Sequence, residues 1–163
     1  MAGELPPAHL RDPGDQWVYG PNGEKVWGAF GAAGVLVWNQ ETDTVLLQLR
    51  AEWSHHGGTW GIPGGAIRSG ESAVDGAFRE ADEEAGVPRD LLEAIDEHVI
   101  DLGFWSYTTV IARTIQHFEP KYGDHESLDL KWIPRVEVEA MDLHPRFATS
   151  WPLLRDLLGN NLN

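Results

Sequence analysis

Apolar residues alternate with polar or turn-forming residues along much of the chain, and their spacing predicts short strands around one central helix. Residues 29–38 and 45–50 are apolar and rich in β-branched side chains, which predicts two core strands joined by a short loop. Near the N-terminus, two short apolar runs flank Asn22-Gly23, a dipeptide typical of β-hairpins. Residues 51–59 have the composition of a loop.

The middle of the chain carries the strongest helix signal. Residues 72–85 contain no proline, are rich in alanine and end before Gly86, a residue type that commonly ends helices. Strands on both sides of such a helix predict an α/β fold in which helices cover a mixed β-sheet. The remaining predicted elements are one more helical turn over 89–94, strands over 97–102, 105–115 and 128–133, a long loop over 117–127 and a last helix over 151–158.

Three glutamates share one side of the predicted central helix. At about 100° per residue, Glu80, Glu83 and Glu84 fall within one arc of about 100°, next to the apolar arc, whereas Asp82 points to solvent. Like charges four residues apart destabilise a helix, so a cation should offset the repulsion. Mg²⁺ prefers oxygen ligands and is often completed by substrate phosphates. The alternative is a solvated acidic face, but acids beside the apolar arc favour a Mg²⁺ or Mn²⁺ site.

Composition narrows the class of protein. The 163 residues, 42% of them hydrophobic, are enough for one domain with a core. The net charge of −14, from 26 acidic and 12 basic residues, disfavours duplex DNA as a partner. With no cysteine in the chain, disulfides and thiolate metal sites are excluded. We expect a cytoplasmic protein without membrane contact, because no apolar run approaches the length of a membrane span and the N-terminus lacks signal-peptide features.

The central helix lies within a fixed pattern of glycine, glutamate and arginine. Over residues 65–87 the chain reads GAIRSGESAVDGAFREADEEAGV, in which the fixed positions are Gly65, Glu71, Arg79, Glu80, Glu83, Glu84 and Gly86. The segment resembles the Nudix box of the Nudix hydrolase superfamily at every fixed polar and glycine position. This resemblance implies a Nudix-type α/β/α sandwich over 29–159, preceded by an arm and hairpin over 1–28 and followed by a tail over 160–163.

The resemblance also implies roles for the box residues. The carbonyl of Gly65 joins Glu80, Glu83 and Glu84 as a metal ligand, and one of these glutamates activates the attacking water. Glu71 and Arg79 are supporting residues, with Arg79 bonding the box loop and orienting carboxylates. Ala81 stands where the family usually has a bulky aliphatic residue, a departure that thins the core face of the helix but removes no ligand.

One catalytic candidate lies outside the box. Glu126 stands six residues before Trp132, similar to the acid that Nudix enzymes often place before a strand containing tryptophan. The resemblance makes Glu126 a metal ligand or a general base. Asp124 and His125 are rivals in the same loop.

Further residues are substrate-binding candidates. Arg50 ends a predicted strand where the family often has a phosphate-binding arginine, with an ion pair at the sheet edge as the alternative. His55, in the loop before Trp60, is placed to contact base or phosphate. The resemblance to some subfamilies suggests base stacking by three aromatic residues, which are Phe104, Trp105 and Tyr107.

The implied activity is Mg²⁺- or Mn²⁺-dependent hydrolysis of a diphosphate linkage in a nucleoside diphosphate joined to another group. Nucleoside triphosphate pyrophosphohydrolysis is the first hypothesis. ADP-ribose, nucleotide-sugar and dinucleoside polyphosphate pyrophosphatases are the enzyme alternatives, and a non-catalytic nucleotide-sensing module is the alternative from another class. The aromatic N-terminal hairpin is compatible with a homodimer.

Overall fold

The strands form one mixed sheet and a separate hairpin in a computed structural model that describes residues 12–50, 57–121 and 127–161. The helices are α1 (Ala73–Ala85) and α2 (Pro145–Asn160), and 3₁₀ turns occupy Arg89–Leu91 and Arg135–Ala140. The strands are β1 (Trp17–Tyr19), β2 (Lys25–Trp27), β3 (Ala32–Asn39), β4 (Thr44–Arg50), β5 (Trp60–Gly61), β6 (Gly64–Ala66), β7 (Leu92–Asp101), β8 (Ser106–Thr114) and β9 (Ser127–Pro134).

The sheet has seven strands in the order β5-β4-β3-β8-β7, with β6 added to β3 and β9 added to β4. The β3 and β8 strands are parallel, and the other pairs are antiparallel. The pairing of β3 with β4 covers only Trp38 with Val45 and Asn39 with Thr44. The start of β3 pairs with β6 instead, and the end of β4 pairs with β5. The glycines of β6 are thereby held against the first half of a central strand.

Both faces of the sheet are buried, because β3 alternates its side chains between two apolar clusters. Val35 and Val37 pack in the cluster that contains Ala77 and Phe78 of α1. The intervening residues of β3 pack on the other face with α2, in a cluster that includes Leu36, Trp38, Trp151, Leu154 and Leu158. Because side chains of a strand alternate in direction, one buried strand serves both helix layers. The predicted α/β/α sandwich around a mixed sheet is confirmed.

The ends of α1 explain its length. The Ser72 hydroxyl accepts a hydrogen bond from the Asp75 amide at 3.1 Å, which caps the first turn. At the other end, Gly86 adopts the left-handed conformation with φ of 60°, and its amide donates back to the last turn. The helix predicted over 72–85 is therefore confirmed to within one residue.

Two other boundaries were predicted wrongly. The helical turn predicted over 89–94 ends at Leu91, and β7 starts at Leu92, five residues before the predicted strand. Pairing with β8 makes residues 92–94 a strand, since Leu92 lies opposite Thr114. The last helix begins at Pro145, where the prediction began at 151, because Phe147 and Trp151 pack together on the sheet. Pro152 then lies inside α2, although proline more commonly marks the first turn of a helix.

The predicted hairpin is confirmed as β1 and β2, with Val18 opposite Val26. It packs on the start of β8 through a small cluster of Val26, Ala32 and Trp105. The Trp105 indole N–H also donates to the carbonyl of Trp27 at 3.1 Å. Within the described ranges, neither helix is long and apolar enough to cross a membrane.

Candidate active site

The glycine-rich strand β6 leads directly into the acidic helix. Gly65 pairs with Ala33 of β3, and the chain then turns through Gly70, whose φ is 77°. A Cβ atom on Gly65 would lie 2.6 Å from Cδ of Glu80, so a larger residue at this position would displace the Glu80 carboxyl group. The Glu80 carboxyl group therefore packs directly against the backbone of the glycine turn.

Arg79 is the hydrogen-bonding centre of the turn and the helix. Its Nε donates to Glu71 Oε2 at 2.8 Å and its Nη2 to Glu71 Oε1 at 3.0 Å, a two-point ion pair. Nη2 also donates to the carbonyl of Ala66 at 3.0 Å. Nη1 reaches Glu80 at 2.9 Å and Glu83 at 3.4 Å. One guanidinium thus connects β6, the turn and the acidic face of α1, which agrees with a supporting role.

Glu71 is the best-shielded partner of Arg79, with a side chain only 15% exposed. Its Oε1 also accepts from the Arg68 amide at 2.9 Å. The hydrogen bond from Arg79 lowers the pKa of Glu71 below its ordinary value of 4.5, against an opposing effect of burial. The charged form of Glu71 therefore stabilises the fold above about pH 4.5, and this stabilisation is lost as pH falls through the lowered pKa.

We expect Glu71→Gln to lower the free energy of unfolding at pH 7 by about 2 kcal/mol, the scale of a hydrogen bond to a charged group. The gap to the wild type should narrow as the pH falls below 4.5, because the Glu71 carboxylate is then protonated first in the unfolded state and, at still lower pH, in the folded state. Urea denaturation at a series of pH values measures both effects. A gap that stays constant down to pH 3 would contradict the assigned ion pair.

The three box glutamates occupy different environments. Glu84 is 5% exposed, and its Oε2 accepts the Gly64 amide at 3.1 Å. Glu83 is 47% exposed at its side chain, near Arg68 at 3.7 Å. Glu80 is 17% exposed at its side chain and lies between Arg79 and Gly65. All three carboxyl groups thus belong to the surface where α1 meets the glycine turn.

Arg79 supplies the positive charge that the helix requires. Glu80 and Glu83 both turn toward it, and no group of three acidic or histidine side chains encloses a cation within the described ranges. The donors nevertheless suit a hard cation, because Glu80 and Glu84 present carboxylate oxygens beside the glycine backbone of β6. The oxygen donors of the residues predicted as metal ligands therefore fit Mg²⁺ or Mn²⁺.

The three candidate aromatics differ in how they are held. Trp105 is 6% exposed and contributes to the core beneath the hairpin. Phe104 packs against Gly20, where a Cβ atom would lie 2.5 Å from its ring. The Tyr107 hydroxyl fits between two glycines, since Cβ atoms on Gly34 and Gly64 would lie 2.3 Å and 2.9 Å from it. Tyr107 is therefore the aromatic whose polar end meets the glycine turn.

Tyr107 also shares an electrostatic environment with the box. Burial raises the pKa of its hydroxyl, and the negative charges of Glu84 and Glu80 raise it further. The positive charges of Arg50 and Arg146 oppose this rise. The hydroxyl of Tyr107 consequently stays protonated at neutral pH.

Of the remaining candidates, only Arg50 lies within the described residues. Arg50 ends β4, and its amide donates to Thr59 at 2.9 Å, so it stands next to β5 on the same side as Tyr107. His55 and Glu126 lie outside the described residues. Two contacts had no signal in the sequence, which are the amide of Gly64 on Glu84 and the placement of Arg146 near Tyr107.

Comparison with known proteins places this site in context. The model of the NUDIX domain family matches residues 29–157. One relative is a "Nucleoside triphosphate pyrophosphatase/Nudix hydrolase fusion protein" of Bifidobacterium longum, which is 42% identical over 93% of this chain. This chain spans only 33% of the length of that relative. A Mycobacterium tuberculosis relative with the provisional name 8-oxo-dGTP diphosphatase 3 is 43% identical over 92% of the chain and 74% of its own length.

A solved structure extends the similarity to three dimensions. The crystal structure of a Nudix hydrolase from M. smegmatis, RenU, superposes with a TM-score of 0.82 at 40% identity. It covers 90% of this chain and 96% of its own. The similarity therefore includes the sheet, both helices and the box.

Proposed function

We propose that this chain, which belongs to the NUDIX domain family, is a hydrolase that cleaves a diphosphate linkage in a nucleoside diphosphate joined to another group. The observation that carries the proposal is the fixed junction between β6 and α1. There Glu84 accepts the Gly64 amide, Glu80 packs on Gly65, and Arg79 bonds the turn and the helix together. A preorganised set of carboxylates of this kind suits phosphate chemistry.

The chemistry also requires a divalent metal, which is general for the family. We assign Mg²⁺ or Mn²⁺ to Glu80, Glu83, Glu84 and the carbonyl of Gly65. When bound, such an ion lowers the pKa of a water and neutralises phosphate charge. The acidic chain, with its net charge of −14, would otherwise repel a polyphosphate.

Individual residues of the chain have separate roles in the reaction. A carboxylate takes the proton of the attacking water, whose oxygen bonds to phosphorus as the bridging P–O bond breaks. The candidates for this base are Glu80, Glu83, Glu84 and Glu126. Arg79 holds the carboxylates in place through its bonds to Glu71 and Glu80. The protonated Tyr107 hydroxyl and Arg50 are placed to contact substrate phosphates.

For the substrate we propose a nucleoside triphosphate, hydrolysed to the monophosphate and pyrophosphate. The provisional name of the M. tuberculosis relative, an 8-oxo-dGTP diphosphatase, supports this class. The aromatics that were expected to stack on a base do not decide between bases, because Trp105 is buried in the core. ADP-ribose, nucleotide sugars and dinucleoside polyphosphates remain the competing substrates.

A product screen tests this proposal. The protein is incubated in Mg²⁺ with dGTP, 8-oxo-dGTP, ADP-ribose, a nucleotide sugar and a dinucleoside tetraphosphate, and products are separated by anion-exchange chromatography. We expect a nucleoside monophosphate and pyrophosphate from the triphosphates, with kcat/KM at least about tenfold above the other substrates, a discrimination of 1.4 kcal/mol. A kcat/KM that is higher for ADP-ribose than for the triphosphates would instead assign ADP-ribose as the substrate. No cleavage of any substrate would favour the non-catalytic sensing module.

A further inference from the structure

Arg146 is an exposed arginine held on an aromatic ring next to the site. It is the second residue of α2, and its guanidinium lies 4.8 Å from the centroid of the Trp105 ring. Cation–π contact of this kind orients a guanidinium without consuming its hydrogen-bond donors. Because Trp105 is buried, its ring is a rigid support for the arginine.

The backbone before Arg146 is tied to the strand that leads into the glycine turn. The Trp60 amide donates to the carbonyl of Asp142 at 2.8 Å, and the His144 amide donates to the carbonyl of Trp60 at 2.8 Å. Leu143 thereby pairs with Trp60 as a β-bridge. His144 also caps α2, because its side chain accepts the Arg146 amide at 3.1 Å. The position of Arg146 relative to β5 is consequently fixed by main-chain bonds.

A short chain of contacts connects Arg146 with the carboxylates. The ring of Trp105 lies 6.2 Å from that of Tyr107, between centroids. The Tyr107 hydroxyl meets Gly64, whose amide bonds Glu84. The charge of Arg146 also reaches the Tyr107 hydroxyl, where it opposes the effect of Glu84 on the pKa. Arg146 is therefore linked to the box through Trp105, Tyr107 and Gly64.

Arg146 differs from the arginines around it in its partners. Within the described ranges its guanidinium has no carboxylate partner, although acidic residues outnumber basic ones by 26 to 12. Six other arginines each form an ion pair there, namely Arg68, Arg79, Arg89, Arg113, Arg135 and Arg155. An oriented guanidinium without a carboxylate partner in the described part of the chain, linked to a proposed site for polyanions, is suited to an anionic ligand.

We propose that Arg146 is a substrate-binding residue that donates hydrogen bonds to phosphate oxygens of the nucleotide. The inference rests on the proposed function, because it takes a nucleoside polyphosphate as the ligand of the site at the box. A planar guanidinium matches two phosphate oxygens at once, and its support on Trp105 reduces the entropy lost on binding. Arg146 would thus supply positive charge in addition to that of a metal held by the box. Its role is binding and not proton transfer.

The test measures binding without turnover, in Mg²⁺, by titration calorimetry with guanosine and with a GTP analogue whose bridging oxygens are replaced by methylene groups, which is the ligand meant by GTP in the binding comparisons below. Arg146→Gln removes the charge and keeps side-chain length, and we expect it to weaken GTP binding about tenfold, as for loss of a charge-assisted hydrogen bond. Guanosine, which has no phosphate, should bind both proteins alike. Arg146→Lys should retain part of the affinity for GTP, since its charge remains.

Arg155→Gln is the matched control, because Arg155 lies on the same helix and is paired with Glu139. It should bind GTP like the wild type. The proposal is overturned if Arg146→Gln binds GTP within twofold of the wild type, if guanosine loses as much affinity as GTP, or if wild-type protein binds no GTP at millimolar concentration. Arg146-dependent GTP binding without any hydrolysis in Mg²⁺ would instead reject the hydrolase activity and keep the phosphate site.

Discussion

Replacing either Glu83 or Glu84 by glutamine is expected to lower kcat by at least about 10²-fold, because loss of one charged metal ligand removes several kcal/mol of transition-state stabilisation. The fold should survive both changes. Glu83 is 47% exposed at its side chain, and a glutamine at position 84 keeps an oxygen that can accept the Gly64 amide. Steady-state kinetics at saturating Mg²⁺, with thermal melting to check folding, provide the measurement.

Asp82→Asn is the control for both variants. Asp82 lies on the same helix, between Glu80 and Glu83 in the sequence. Its side chain is exposed and forms no ion pair within the described ranges. Its replacement removes the same charge and should leave kcat within about twofold of wild type, as for an ordinary surface substitution. Equal losses at Asp82 and Glu83 would show that net charge on the helix, and not metal binding, sets the rate.

Removing divalent cations with EDTA is expected to abolish hydrolysis, and excess Mg²⁺ or Mn²⁺ should restore it. The reason is electrostatic, since a polyphosphate must approach Glu80, Glu83 and Glu84 in a protein of net charge −14. Calorimetry of the substrate-free protein gives a second measurement. Mg²⁺ should raise the melting temperature, because a ligand that binds only the folded state stabilises it.

The Glu84→Gln variant is the control for the melting experiment. Its melting temperature should respond less to Mg²⁺ than that of the wild type, because one charged ligand is missing. Hydrolysis that continues unchanged in excess EDTA would refute the proposed mechanism. A Mg²⁺-induced shift that is the same in both proteins would place the cation elsewhere on the surface.

Local chemistry explains which parts of the fold were predictable. The hairpin around Asn22-Gly23 and the helix before Gly86 were confirmed, because the turn residue and the cap act on their own neighbours. The predicted helical turn over 89–94 is confirmed only to Leu91, because the nine residue pairs between β7 and β8 outweigh the local helical preference of residues 92–94. The early start of α2 likewise depends on packing of Phe147 and Trp151 over the sheet.

Membership of the NUDIX domain family and the α/β sandwich were determined by the sequence alone, through the box over 65–87 and its helical period. The roles of the individual site residues remain predictions. Among these, the orientation of the box acids follows from helical geometry, since residues three and four apart share a face.

Only the tertiary structure decided which groups meet that face. Spacing along the chain does not show that the Gly64 amide bonds Glu84, or that Arg79 joins Glu71 to Ala66. It also gives no reason to place Arg146 on Trp105, since 41 positions separate them in the sequence and main-chain bonds at Trp60 bring them together. Contacts between distant segments depend on strand pairing and core packing, which sum over the whole chain, whereas caps and helical faces depend on a few neighbouring residues.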